Sequence, residues 1–117
     1  MSATVYISNM SRDHSYEAAA KYGAIRPITS GNYPIFKTTR LVEELIDALA
    51  ASKDTDYLLL SGSSVVAGLA LAIWLMMHKK VQLLLHDRRQ SAYVPRLFDR
   101  TTAMVQIEQA RAKLEKE

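Results

Sequence analysis

The chain contains no cysteine. Disulfides, thiolate nucleophiles and cysteine-based metal sites are therefore excluded, and a reducing, cytoplasmic setting is expected. No basic segment leads into an apolar core after Met1, so no secretory signal is expected either. Long hydrophobic runs are also missing. The longest, Val65 to Met77, has 13 residues, against the roughly 20 that cross a bilayer, so no membrane partner is expected. Charge of one sign is scarce: 15 Lys and Arg against 12 Asp and Glu leave a net charge of +3. That balance admits an acidic ligand or a nucleic acid and demands neither. The three histidines have no zinc-motif spacing, so neither a metal nor a cofactor is expected.

What is present suffices for one domain. The chain has 117 residues, 49% of them hydrophobic, enough for a real core. Thr4 to Ile7 is β-prone, and Tyr16 to Tyr22 is an Ala-rich stretch that Gly23 would end. Ala24 to Thr29 reads as a strand, placed at a sheet edge by Pro27. Ser30 to Pro34 is a loop by composition. Leu41, Val42, Leu45, Ile46 and Leu49 make one apolar helix face. Tyr57 to Leu60 and Val81 to Leu85 are continuous apolar strands, as in a sheet covered on both faces. Ala92 to Phe98 is a further strand, pushed towards an edge by Pro95, and forms an antiparallel hairpin with the one before it.

Between those strands, Val65 to Met77 is apolar on every side. Such a helix is expected to be buried all round. In so small a domain this implies a subunit interface, and hence a homo-oligomer. Thr101 to Glu117 is helix-prone, but Ala103, Ile107, Ala110 and Leu114 form only a thin stripe, so this helix packs weakly or on a neighbouring subunit. The expected organisation is one α/β ligand-binding domain over residues 1–100 and a C-terminal helix over 101–117. The fold class is a three-layer Rossmann-like domain with a mainly parallel sheet and a C-terminal antiparallel hairpin. At the level of fold alone this order resembles small Rossmann-like ligand-sensing domains, including the CRISPR-associated type that binds cyclic oligoadenylates as dimers. That resemblance carries over no residue.

Sheets of this kind bind ligands outside the carboxyl ends of their strands. The main candidate there is Ser61-Gly62-Ser63-Ser64. Gly62 permits a positive φ and a close backbone approach, and the helix that follows presents free N–H groups to an anion. Ser63 or Ser64 can equally be a plain N-cap. The run lacks the lysine of a P-loop and the closing glycine of a nucleophile elbow. After the first strand, Ser8, Asn9, Asp13 and His14 could orient a sugar or base, or form an ordinary polar loop. Arg40, at a helix start, and Arg88 and Arg96, around the hairpin, could supply counter-charge, Arg88 otherwise being part of a solvated turn.

The sequence thus points to a protein that binds a small phosphorylated ligand, a nucleotide or cyclic (oligo)nucleotide, as a sensor or sequestering protein. No catalytic motif is present, so chemistry enters only as slow phosphodiesterase or ring-nuclease-like cleavage of that ligand. Two other readings stand beside it. One is a structural module that assembles through the apolar helix. The other is a nucleic-acid-binding protein using Arg88, Arg89, Arg96 and Arg100.

Overall fold

Five strands form one sheet: β1 (Thr4–Met10), β2 (Ala24–Ser30), β3 (Tyr57–Leu59), β4 (Lys80–Asp87) and β5 (Ala92–Asp99). The computed structural model describes residues 3–11 and 14–116. Spatial order is β2-β1-β3-β4-β5. β1 pairs in parallel with both β2 and β3, and β3 in parallel with β4. β4 and β5 form an antiparallel hairpin in which Lys80 faces Asp99 and Asp87 faces Ala92. The expected mixed α/β sheet, mostly parallel with an antiparallel pair at the end, is what the chain forms.

Both prolines expected at edges lie on edge strands, Pro27 on β2 and Pro95 on β5. Proline has no N–H to give a sheet neighbour. At Pro95 the carbonyl is also occupied, because the Arg96 guanidinium donates to it at 2.8 Å. That position offers a passing strand neither donor nor acceptor.

The core has two parts. On one face of the sheet, Tyr6, Leu58 and Val81 pack against Leu41, Leu45 and Leu49 of α1 (Thr38–Leu49). Val66, Ala70, Ile73 and Trp74 of α2 (Ser64–Met77) complete that layer. The second cluster joins Val5, Ile7, Leu59, Leu84 and Tyr93 to Tyr16 and to Ala19 of a 3-10 helix (Glu17–Tyr22). One buried carboxylate holds the strand starts together. Asp56 accepts from the backbone N–H of Thr4 (2.9 Å) and of Lys53 (2.8 Å).

Within a single chain α2 is not buried all round, contrary to the sequence expectation. Val66, Ala70, Ile73 and Trp74 face the sheet, but Val65 and Met76 are exposed. One sheet face and one neighbouring helix cover only one side of a helix, so uniform hydrophobicity leaves an apolar outer side. The last helix, α3 (Arg100–Glu115), has no buried residue.

Trp74 is the largest buried side chain. It packs edge-on to Tyr6 at 5.9 Å between ring centroids and donates its indole N–H to the Lys80 carbonyl at 3.1 Å. Trp74→Ala is expected to cost about 3–5 kcal/mol, read as a lower urea midpoint by circular dichroism, with Trp74→Phe losing much less.

Candidate functional site

Strand order reverses between β1 and β3, because the chain steps outward to β2 and then crosses back. At such a reversal the connections after neighbouring strands diverge and leave a crevice at the carboxyl ends. In this protein the crevice is bounded by the ends of β1 and β2 and by the Ser61–Ser64 corner.

Ser8 builds that corner. It is fully buried. Its hydroxyl donates to the Ser61 carbonyl and accepts from the Ser61 N–H, both at 2.8 Å. One short side chain therefore satisfies both backbone groups of Ser61, where β3 has already ended. Asn9 is also buried. Its amide donates to the Gly31 carbonyl at 3.0 Å. The Thr29 hydroxyl approaches the Ser8 carbonyl at 2.7 Å and the Asn9 side-chain oxygen at 2.9 Å. Gly62 lies directly on Asn9. Its φ is +80°, and a Cβ there would stand 2.6 Å from Asn9 Nδ2 and 2.7 Å from Asn9 Cβ. Glycine is required here on both counts.

The corner opens on a cavity of about 810 Å³ lined by Asn9, Gly31, Asn32, Tyr33, Gly62 and Ser63 among others. That volume lies within the usual range for small-ligand sites, about 300–1,000 Å³. Ser63 occupies the N-cap position of α2, yet its side chain makes no capping hydrogen bond. The first turn of α2 carries no acidic residue. An anion at this end would meet unopposed amide dipoles.

A second cavity, about 790 Å³, shares Ser11, Gly31 and Asn32 with the first and extends to His14, Tyr16 and Glu17. Tyr16 links it to the corner. Its hydroxyl accepts from the Ser11 N–H at 3.0 Å and lies 2.7 Å from Ser61 Oγ. His14 Nε2 lies 2.7 Å from the Tyr93 hydroxyl, 79 residues away in the chain. The His14 ring also meets the His86 ring at 5.4 Å between centroids.

Of the residues singled out from sequence, Asn9, Gly62 and Ser63 line the main cavity and His14 the adjoining one. Ser61 joins the two through Tyr16, and Ser64 is exposed in the first turn of α2. Ser8 has no exposed surface, so it shapes the corner without touching a ligand. Asp13 lies outside the described residues. Arg40 is exposed and paired with Glu44 at 3.3 Å. Arg88 and Arg96 line neither of these cavities but a separate one of about 390 Å³ around the hairpin. Arg100 is withdrawn from any basic surface: its guanidinium donates to the Leu75 carbonyl at 2.6 Å. Sequence reasoning missed Gly31 and Asn32, although they follow a parallel strand just as Ser61 does; Ser8 and Asn9, expected after the first strand, lie inside it because β1 runs on to Met10. Tyr16 and Tyr93 were invisible because their partners are remote in sequence.

Residues 3–100 match the family described as phage Pam3 gp32-like protein. The chain belongs to that family. No curated protein and no solved structure matches it. Both crevice cavities lie within the stretch shared with the phage Pam3 gp32-like family, whereas α3 lies almost wholly beyond it.

Gly62→Ala combines a left-handed backbone with an overlap on Asn9, so a loss of at least about 1–2 kcal/mol is expected in urea unfolding. Burial, and then the neighbouring Tyr16, push the Tyr93 phenol above its ordinary value. Below about pH 10 neither the folded nor the unfolded chain ionises this group. Above it the unfolded chain releases the proton first, so stability falls as pH rises. Urea midpoints taken from about pH 9 to about pH 11 should drop less steeply in Tyr93→Phe than in the unaltered protein.

Proposed function

We propose that this protein binds a small phosphorylated ligand, of nucleotide type, in the crevice at the carboxyl ends of β1, β2 and β3. In this reading the domain is a Rossmann-like binding unit that senses or sequesters its ligand. The reversal of strand order between β1 and β3 supports it, as do α1 and α2 on one sheet face and the 3-10 helix on the other. The observation that carries the proposal is Ser63. A hydroxyl at an N-cap ordinarily satisfies the helix amides itself. This one does not, and it faces a cavity large enough for a nucleotide. The phosphate would take the α2 amides and the Ser63 and Ser64 hydroxyls. Asn32 and the rim of the adjoining cavity would contact the sugar or base.

A thermal-shift screen of nucleotides and sugar phosphates tests the class. A ligand at a hundred times its dissociation constant adds about 2.7 kcal/mol of stability. The double variant Ser63→Ala/Ser64→Ala should then weaken binding about tenfold or more in calorimetry, at little cost in stability. A flat screen, or unaltered affinity in that variant, would refute the assignment.

A further inference from the structure

Phe36 is 95% exposed, more than any other large hydrophobic side chain among the described residues. Phenylalanine is ordinarily one of the most buried residue types. The exposure does not come from a loose loop. Where the loop begins, Gly31 gives its N–H to the Met10 carbonyl at 3.1 Å and accepts the Asn9 amide on its own carbonyl at 3.0 Å. Tyr33 and Ile35 pack against the core. The Lys37 N–H closes a turn on the Pro34 carbonyl at 3.2 Å, and α1 follows from Thr38. Tyr33 and Ile35 are thus drawn inward, and Phe36 is held out between fixed points. Its place is beside the crevice. Tyr33 and Ile35 both line the cavity that Ser63 faces, and Phe36 is the next residue in the chain.

We propose that Phe36 is the platform on which the base of the ligand stacks. The inference rests on the phosphate reading given above and adds what the other end of the ligand must be, a planar heterocycle. With its phosphate at Ser63, such a ligand would extend past Tyr33 and Ile35 towards Phe36, and Asn32 would meet the sugar. An exposed ring offers a base its π-face and makes no demand on the hydrogen bonds at the base edge. It therefore favours any base over none, and the larger purines over pyrimidines. A protein partner fits this ring less well. Lys37, Thr38, Thr39 and Arg40, which follow it, are all exposed and all polar. A stable protein interface needs about 800 Å² on each partner, with an apolar centre. One aromatic face set among polar side chains matches a base in size.

The test titrates AMP, GMP, CMP, UMP and ribose 5-phosphate into the full-length protein by calorimetry. The nucleotides should bind more tightly than ribose 5-phosphate, the purines most tightly. Phe36→Ala should weaken nucleotide binding about tenfold. It should leave the ribose 5-phosphate affinity and the urea midpoint unaltered, because so exposed a ring supports little of the fold. Phe36→Trp should keep the affinity, with an indole emission that AMP quenches and ribose 5-phosphate does not. Ribose 5-phosphate binding as tightly as AMP, or Phe36→Ala binding AMP unchanged, would overturn the stacking assignment and leave the phosphate site standing. Full affinity in Phe36→Leu would overturn it too, since any apolar surface would then suffice. No binding of any nucleotide by the unaltered protein would overturn both.

Discussion

The site depends on one buried hydroxyl. Ser8 gives and receives a hydrogen bond at Ser61, across 53 residues of sequence. Parallel strands diverge at a reversal of order, and a strand that has run out leaves its backbone groups unpaired. Ser8 satisfies both groups at once from beneath, which lets β3 stop at Leu59 and the chain turn sharply. Gly62 then settles on Asn9 because it has no side chain, and α2 starts with its amides facing the crevice. Without that lash, the peptide groups of Ser61 would need water or another partner. The opening that Ser63 faces would lose its wall.

Much of this was legible along the chain. Val5 to Ile7 and Leu58 to Leu59 announce buried strands by their composition, Pro27 and Pro95 announce edges, and the spacing from Leu41 to Leu49 announces an amphipathic helix. The serine-glycine corner was legible as well, since few other residues tolerate a strand-to-helix turn so tight. What escaped were pairings between remote residues. Ser8 looks like a ligand contact in sequence, because a hydroxyl carries no sign of whether its partner will be a phosphate or a backbone amide. Asp56 looks like one more charge in a polar turn, yet it is buried and holds the start of β1. The outer side of α2 escaped for a different reason. Hydrophobicity on every side says what a helix tolerates, while the number of neighbours in a small domain decides what is covered.

The titratable groups divide by their distance from the corner. Arg88, Arg89 and Arg96 surround a separate hollow at the hairpin. Arg40 is engaged with Glu44, and Arg100 is consumed in fastening α3. The groups that line the cavity at the corner are neutral: amides, hydroxyls and the Asn32 side chain, while Glu17 and His14 reach only the adjoining one. An anion held that way is recognised by direction more than by net charge, because fixed dipoles penalise a misplaced ligand and mobile surface cations do not. Such a site would discriminate among phosphorylated molecules by shape. His14 and its contacts with Tyr93 and His86 form the flank on which that discrimination would fall.

The start of α3 and the crevice lie at opposite ends of the sheet. In the hairpin register Lys80 lies beside Asp99, so α3 departs from the amino end of β4. The crevice lies at the carboxyl ends of β1, β2 and β3. The strict economy at Ser61, where every backbone group has a partner inside the same chain, fits a site built to stand alone.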